Sequence, residues 1–283
     1  MNTAAKVWLV GAGPGDPELL TIKAARLLTR ARVVLYDHLV GDEVLGLVPA
    51  DALRVYVGKQ EGCHAVPQEE ISRMLVRFAA AGSEVVRLKG GDPLVFGRGG
   101  EEAQALARAG IPFEVVPGIT SAQGMSACAG IPLTHRDHAS SVVLVTGHTK
   151  DDEPACDWAS LARPRQTVVF YMGLRALPRI CRELIAHGMA VDMPAAVVER
   201  ATTPQQRVVT GTLLTLAALA RAHEVRSPAL VVVGDVVRLR EELVVRGSAV
   251  ATDTPAPETA SPRRTPRVAR SRTGAGAGAR TSA

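Results

Sequence analysis

A glycine-dense loop between Val85 and Glu102 holds residues whose types and spacing suit ligand chemistry. The segment reads VVRLKGGDPLVFGRGGEE and sets Asp92 and Arg98 among five glycines and a proline within residues 90–100. Glycine costs entropy when it is ordered and proline lacks a backbone donor, so this run does not suit the interior of a helix or strand. Ordinary strand-to-helix connections take about 2–6 residues, and this one is longer. Because open α/β sheets bind ligands where strands end in loops, we expect a ligand-binding loop here.

A second glycine turn follows the first apolar run and reads Gly11-Ala12-Gly13-Pro14-Gly15-Asp16-Pro17. Asp37 ends the next predicted strand. A glycine turn, a helix and a strand that ends in an acid follow one another in this order in dinucleotide-binding folds too, although such an acid more often caps a turn. Asp16 occupies the third glycine position and would repel a pyrophosphate, and Pro14 removes an N–H from the turn. The turn therefore favours a ligand without phosphates. An NAD-dependent oxidoreductase is the weaker alternative.

The elements that must position these residues alternate between strand and helix in the first half. Apolar runs predict strands at 6–10, 32–36, 54–57, 84–88 and 113–116, and helices at about 18–30, from 67, and at 101–109. In a parallel sheet the carboxyl ends of the strands share one edge, so the loops 11–16, 90–100 and 117–121 should converge on one ligand. The hydroxyls of Thr120 and Ser121 would cap the next helix or touch that ligand.

The second half begins after a crossing segment, Gly130–Asp137. Its predicted strands lie at 141–146, 167–171, 195–198, 207–209 and 230–233, with helices at 177–187 and 213–222. Beyond residue 246 the chain is dominated by Pro, Ala, Thr, Ser, Arg and Gly, which cannot bury a core. We therefore expect an α/β domain over 1–133, a second α/β domain over 134–246 and a disordered tail over 247–283.

Composition and charge exclude several classes of protein. Apolar residues make up 47% of the 283, enough for a packed core, while 3% aromatics argue against a stacking platform for nucleic acid. Of the net charge of +5, residues 247–283 carry +4, from six arginines and two acids, and residues 1–246 about +1. A nucleic-acid-binding protein that uses this arginine-rich tail is a further alternative, but we favour a solvated extension.

Cysteine and histidine spacing gives no sign of a disulfide framework or a metal site. The four cysteines are scattered without a C-x-x-C pair, which suits reduced thiols in the cytosol. His135 and His138 have no third ligand nearby, so no metal is assigned. No apolar run approaches the length of a membrane span and no signal peptide is evident. We expect a soluble, cytoplasmic protein with neither a membrane nor a nucleic-acid partner.

Eight segments, in this order, resemble one known family, the uroporphyrinogen-III C-methyltransferases of siroheme and cobalamin synthesis. The resemblance spans roughly residues 6–240, and it is carried by VGAGPGDPELLT (10–21), VVLYDHLV (33–40), VGKQEGCHAVPQEEI (57–71), VRLKGGDPLVFGRGGEE (86–102), VPGITSAQG (116–124), AGIPLTHRDHASSV (129–142), VTGH (145–148) and VFYMGL (169–174). The first segment would also suit other precorrin methylases and diphthine synthase. The third, fourth and sixth segments together fit a much smaller set of enzymes than the first segment does.

This resemblance implies a fold of two α/β domains of the tetrapyrrole methylase type (class III methyltransferases), with the cofactor in the cleft between them, acting as a homodimer. The implied cofactor is S-adenosylmethionine (SAM), which becomes S-adenosylhomocysteine. The implied reaction is two successive methyl transfers to carbons 2 and 7 of uroporphyrinogen III, which give precorrin-2. Because some relatives carry an added dehydrogenase-chelatase region and this chain starts at the first methyltransferase strand, we expect it to stop at precorrin-2. A later precorrin methylase is the alternative within the same fold.

The resemblance also implies roles for individual residues. Asp37 matches the proposed proton acceptor and Lys59 the proposed proton donor, while Arg98 is an alternative base close to the reacting ring. Arg98, Glu101 and Arg136 match positions that face the tetrapyrrole, whose eight carboxylates suit arginine forks. The implied cofactor contacts are Pro14, Gly90, Gly91, Asp92, Val95, Thr120, Ser121, Met172 and Ala201. Ala201 replaces a commoner glycine, which a backbone contact would tolerate. Taken alone, Lys59 would be a solvated charge and Arg98 a surface partner of Glu101 or Glu102.

Overall fold

The computed structural model describes residues 5–58, 66–147 and 156–244, together with the backbone of Thr252–Asp253. Two β-sheets follow one another along the chain, which is the α/β class that the alternating pattern predicts. The strands are β1 (Val7–Gly11), β2 (Val33–Tyr36), β3 (Leu53–Tyr56), β4 (Val85–Lys89), β5 (Phe113–Val116), β6 (Ser141–Thr146), β7 (Gln166–Tyr171), β8 (Pro194–Glu199), β9 (Arg207–Thr212), β10 (Ala229–Val233) and β11 (Thr252–Asp253).

Helices connect most of these strands. They are α1 (Ile22–Leu28), α2 (Asp42–Gly46), α3 (Gln68–Ala80), α4 (Gly99–Arg108), α5 (Ser121–Ala129), α6 (Trp158–Leu161), α7 (Leu177–Ala186), α8 (Leu216–Ala222) and α9 (Arg240–Leu243). Two short 3₁₀ helices cover Pro17–Leu19 and Asp235–Leu239.

The first sheet is parallel throughout and has the order β3-β2-β4-β1-β5. Alternate residues of β1 face opposite layers, because successive side chains of a strand point to opposite faces. Trp8 and Val10 join a core with α1, while Val7 and Leu9 join a core with α3 and α4. Both faces are therefore covered by helices, as is usual for parallel sheets.

The second sheet is mixed, with the order β11-β9-β8-β10-β7-β6. Its pairs β6–β7 and β9–β11 are parallel, and the three pairs between them are antiparallel. One face packs against α6, α7 and α8. The other face receives α5 from the first half of the chain, through Ala122, Met125 and Ala129. Helix α5 therefore brings the loops at its amino end next to the second sheet.

Several element bounds differ from the sequence-based predictions. The predicted helix 18–30 is divided, because Asp16 caps the short Pro17–Leu19 turn and Thr21 then caps α1 by accepting from the Ala24 N–H at 3.1 Å. The predicted helix 213–222 begins only at Leu216, since Leu213 and Leu214 still donate backbone hydrogen bonds to Met193 and Val191. Within the predicted tail 247–283, only Thr252–Asp253 is described, and its backbone pairs with Arg207 and Val208.

Candidate functional site at the strand ends

Three loops at the carboxyl edge of the first sheet meet through their backbones, as the parallel topology predicts. Gly13 and Gly91 exchange two hydrogen bonds, with N–O distances of 3.2 and 2.6 Å. A Cβ atom added to Gly118 would lie 2.3 Å from the Gly91 carbonyl oxygen, and one added to Gly11 would lie 2.5 Å from the Gly118 nitrogen. A side chain at these positions would hold the loops apart. Glycine here allows the loops 11–16, 90–100 and 117–121 to close on one another.

Asp92 joins two of these loops with its carboxylate. Its Oδ1 accepts from the Leu94 N–H at 2.8 Å, and its Oδ2 accepts from the Gly118 N–H at 3.1 Å. Both oxygens are therefore engaged by the backbone. Asp92 fixes the path of the loop rather than presenting an unpaired charge.

Most backbone N–H groups of the first glycine turn donate hydrogen bonds to acceptors within the protein. The N–H groups of Ala12, Gly13 and Asp16 donate to the carbonyls of Lys89 and Gly91 and to Thr202 Oγ1, respectively. Pro14 has no N–H. A pyrophosphate needs several such donors aimed at it. The turn therefore does not fit a dinucleotide, which agrees with the sequence-based argument against NAD.

Tyr171, at the end of β7, connects the first half of the chain to the second sheet. Its hydroxyl lies 2.7 Å from Thr120 Oγ1 and accepts from the Ala122 N–H at 2.9 Å, at the amino end of α5. Its ring contacts that of Phe96, with centroids 4.8 Å apart. Tyr171 was not predicted from the sequence. Its position at a strand end inside VFYMGL was the signal available.

The turn after β8 reaches back to the first glycine turn. Thr202 Oγ1 accepts from the Asp16 N–H at 3.2 Å, and a Cβ on Gly15 would lie 2.9 Å from Thr203 Cγ2. Pro14 packs on α5, where a Cβ on Gly124 would lie 2.5 Å from its Cγ. Ala201 lies in this turn beside Thr202. The structure thus brings Pro14, Gly91, Asp92, Thr120, Ser121 and Ala201 into contiguous loops of the two halves.

Left-handed backbone at non-glycine residues is concentrated in these loops. Phe96, Arg98, Met172, Arg200 and Thr202 have φ between 47° and 68°. Such residues cost on the order of 1–3 kcal/mol each and tend to occur at functional sites. Met172 follows Tyr171 directly and is 52% exposed. A large apolar side chain in a strained, open position suits contact with a ligand.

Asp37 lies at the carboxyl end of β2, beside a buried group of charges. Its Oδ1 accepts from the Leu39 N–H at 3.2 Å, and its Oδ2 lies 3.4 Å from Arg87 Nη2. Arg87 Nε and Lys89 Nζ each lie 3.0 Å from Oε1 of Glu102, which is fully buried. Burial, and next the neighbouring Arg87 guanidinium, lower the pKa of Lys89 despite the opposing effect of Glu102. Glu102 is therefore not the surface partner of Arg98 that the sequence allowed.

Arg98 and Glu101 form an exposed bidentate pair at the start of α4. Arg98 Nε and Nη2 donate to the two carboxylate oxygens of Glu101 at 2.9 and 2.6 Å. The hydrogen bond from Arg98 to Glu101 raises the pKa of the guanidinium. The backbone next to Arg98 is fixed as well, because the Gly99 N–H donates a hydrogen bond to the Pro93 carbonyl oxygen at 2.9 Å. Arg98 therefore suits an anchor for carboxylates better than a base.

The remaining predicted residues lie in different surroundings. Lys59 lies outside the described residues. Val95 is half-buried against the core that contains Tyr171, and a Cβ on Gly90 would lie 2.6 Å from Leu39 Cβ, next to Asp37. Arg136 is exposed in the turn before β6, where its carbonyl accepts from Arg165 Nη2 at 2.6 Å. Within the described residues, this turn is held by Arg165, whose guanidinium donates to the carbonyls of Arg136 and Asp137, rather than by the loops of the first sheet.

Within the described ranges, no group of three or more His, Cys, Asp or Glu side chains is arranged to hold a metal ion. Cys128, Cys156 and Cys181 are free thiols, and burial raises the pKa of Cys181 to about 11. None of the described helices has the length and apolar character needed to cross a membrane.

Comparison with known proteins agrees with this geometry. The family model of the tetrapyrrole (corrin/porphyrin) methylases matches residues 6–217. Siroheme synthases of Pseudomonas fluorescens and Thioalkalivibrio sulfidiphilus are 59% and 55% identical, each over 86% of this chain but only 52% and 50% of their own length. The chain thus spans about half the length of these relatives.

The fold and the match define the class: this chain belongs to the tetrapyrrole methylase family. Among solved structures, the native uroporphyrin III C-methyltransferase of Thermus thermophilus is 49% identical to this chain, with a TM-score of 0.72. The alignment covers 83% of this chain and 100% of that enzyme's chain. A cobalt precorrin-4 methyltransferase is 30% identical over 82% of this chain and 95% of its own, with a TM-score of 0.73.

Proposed function

We propose that this protein is a SAM-dependent C-methyltransferase that converts uroporphyrinogen III to precorrin-2, in siroheme or cobalamin synthesis. The support is specific, because a T. thermophilus uroporphyrin-III C-methyltransferase 48% identical to this chain has been solved with S-adenosylhomocysteine. That enzyme is covered over its whole length. The siroheme synthases are longer, so the proposal concerns methyl transfer alone.

One observation carries the proposal, namely the committed backbone donors of the first glycine turn. With Ala12, Gly13 and Asp16 bonded within the protein and Pro14 lacking an N–H, the turn cannot cradle phosphates. The adjoining loops offer hydroxyl, carbonyl and apolar groups from Thr120, Ser121 and Met172. Such a set suits SAM, which carries no phosphate.

The proposed cofactor site uses both halves of the chain. We assign to it Pro14, Gly90, Gly91, Asp92, Val95, Thr120, Ser121, Met172 and Ala201. The hydrogen bond of Thr120 to Tyr171 and that of Asp16 to Thr202 fix the two halves around it. When bound, SAM supplies a methyl group attached to a positively charged sulfur. The rigid loops contribute by orientation, since holding reactants in line supplies a large part of such accelerations.

Asp37 is the proposed proton acceptor. Once a pyrrole carbon has gained the methyl group, a proton must leave the macrocycle, and its bonding electrons remain in the ring as a new double bond. Asp37 can accept that proton from the macrocycle on Oδ2, because the Leu39 N–H and Arg87 Nη2 hold its carboxylate in place. Arg98 is less suited to this role, because its hydrogen bond to Glu101 raises the pKa of the guanidinium and keeps it protonated. Lys59 remains the proposed proton donor.

Substrate recognition falls to Arg98, Glu101 and Arg136 in this proposal. A guanidinium has five N–H donors, and Glu101 takes two of those of Arg98. The pair thus holds the guanidinium plane steady while other donors face carboxylates of the tetrapyrrole. Arg136, exposed in its own turn, would contact a more distant carboxylate.

We further propose the division of the chain into domains at 1–133 and 134–246, with 247–283 as a tail not needed for catalysis. Cytoplasmic location and a homodimer belong to the same proposal. The apolar packing of α5 on the second sheet supports a close association of the two domains.

The test is an anaerobic incubation of the purified protein with enzymatically generated uroporphyrinogen III and methyl-labelled SAM. We expect the label in the tetrapyrrole, and we expect SAM, but not NAD, to raise the melting temperature. Binding of SAM without labelling of uroporphyrinogen III would move the substrate to a later precorrin. Failure to bind SAM would contradict the assignment of the loops.

With Asp37→Asn, substrate binding should persist while turnover falls. With Arg98→Lys, the KM for the tetrapyrrole should rise.

A further inference from the structure

The buried charge group beneath Asp37 contains Arg87, Lys89 and Glu102, with Gln68 at its side. Arg87 and Lys89 lie two residues apart on β4 and so face the same layer, towards α3 and α4. Glu102, on α4, accepts from Arg87 Nε, Lys89 Nζ and Gln68 Nε2 at 3.0, 3.0 and 2.9 Å, all on its Oε1 atom. Arg87, Lys89 and Glu102 are each no more than 3% exposed.

Such a group is costly to bury and is weak evidence for stability. Removing charges from water costs several kcal/mol per ion, and well-packed apolar residues often replace a buried ion pair without loss. The same layer holds an apolar core in which Leu75 and Leu106 are fully buried. A role outside stability would account for these charges.

Arg87 is the member that connects the group to the site. Its Nε contacts Glu102, its Nη1 donates to the Leu88 carbonyl at 2.9 Å, and its Nη2 reaches Asp37 Oδ2 at 3.4 Å. One guanidinium thus spans two carboxylates, one buried and one at the site. Glu102 and the Leu88 carbonyl fix its plane, because the fork of donors is rigid.

We propose that Glu102 is a positioning residue for methyl transfer: it holds Arg87 so that the guanidinium orients Asp37 for accepting the proton. This inference rests on the proposed function, in which Asp37 is the proton acceptor. Glu102 would not touch substrate or cofactor. Its effect should therefore appear in the rate of reaction and should depend on the presence of the Asp37 carboxylate.

The test is a double-mutant cycle with Glu102→Gln and Asp37→Asn, measured as the single-turnover rate at which the methylated and deprotonated product forms, with enzyme in excess over uroporphyrinogen III and SAM saturating. Glu102→Gln alone should slow this product formation by about tenfold, within the range of coupling energies between residues of one network. It should leave the dissociation constant of S-adenosylhomocysteine unchanged. In the Asp37→Asn background it should have no further effect, because no carboxylate remains to be oriented.

Glu114→Gln is the control, because Glu114, on β5 of the same sheet, also bridges two cations, Lys6 and Lys23. It lies near the amino end of β5, away from the carboxyl ends of the strands where the candidate site lies. This variant should form product at the wild-type rate. Should Glu102→Gln fail to fold, Arg87→Lys replaces it in both backgrounds, since a lysine cannot span both carboxylates.

The positioning role would be overturned if Glu102→Gln lowered the reaction rate by the same factor in both backgrounds. It would also be overturned if Glu102→Gln weakened S-adenosylhomocysteine binding by the factor by which it lowered the rate. A wild-type protein that methylates while the cycle is additive overturns this inference alone. A wild-type protein that transfers no methyl group overturns the proposed function, and this inference with it.

Discussion

At the scale of single residues, the site depends on side chains that serve two loops at once. Tyr171 is the clearest case, since its hydroxyl bonds both Thr120 and the first turn of α5, while its ring contacts Phe96. Asp92 and Arg87 behave in the same way. Each stabilises the shape of the site through one group with two partners.

Tyr171→Phe should lower the free energy of unfolding by about 1–2 kcal/mol, because the change leaves the buried Ala122 N–H without its acceptor. It should also weaken S-adenosylhomocysteine binding, since Thr120 loses its partner. Urea denaturation and calorimetric titration measure the two effects. Tyr36→Phe, at a half-buried ring on β2, is the control and should cost less. Equal losses in the two variants would contradict this account of the hydroxyl.

Lys89 provides a prediction on pH. Its pKa in the folded protein is lowered from the ordinary 10.5, mainly by burial, so between the two values the unfolded chain binds more protons. Below this window the buried charge of Lys89 destabilises the fold, and the destabilisation is relieved as the pH rises towards 10.5. Wild type should therefore gain stability relative to Lys89→Met as the pH rises through this window. Denaturation curves of both proteins at several pH values would show it, and a constant difference would contradict it.

At the scale of elements, the close approach of strand-end loops determines the site. Gly11, Gly91 and Gly118 let three backbones pack directly, and Asp92 ties two of these loops together. The loops hold left-handed residues such as Phe96 and Arg98 in place. The second sheet then contributes Tyr171, Met172 and the turn at Ala201.

Gly118→Ala should destabilise the protein by about 1–3 kcal/mol or more, because the new Cβ would lie 2.3 Å from the Gly91 carbonyl oxygen. It should also abolish SAM binding by separating two loops of the site. Gly46→Ala is the control, since a Cβ there meets no described atom within 4 Å outside its own helix turn, and alanine favours a helix. The urea midpoints of the two variants give the comparison. A Gly118→Ala protein as stable as Gly46→Ala would refute the close-packing argument.

Much of this element structure could be predicted from the sequence. Strands β5 and β6 have the predicted bounds, and the convergence of the three glycine loops follows from parallel topology alone. Helix α2 was missed, because its five residues are too few for a periodic signal. The residues Arg87, Lys89, Glu102 and Tyr171 were not selected for the site. Their hydrogen-bond partners lie up to 52 residues away in sequence, and periodicity does not report such contacts.

At the scale of the whole molecule, two sheets of different topology contribute loops to the candidate site. Helix α5 belongs to the first half in sequence but packs on the second sheet, so both halves contribute to the same loops. Local patterns predicted β6 to β10 of the second sheet, but not β11 or the mixed order of the strands, which depends on long-range pairing. The match to the tetrapyrrole methylases over 6–217 covers the first sheet and β6 to β9 of the second. A methyl-transfer site between them is the central claim.

The measurement that tests this claim most directly is carbon-13 NMR of the tetrapyrrole formed anaerobically from uroporphyrinogen III and SAM labelled in its methyl group. We predict two labelled methyl groups, one on carbon 2 and one on carbon 7, with a product mass that agrees. An unlabelled tetrapyrrole, or label at any other carbon, would contradict the account.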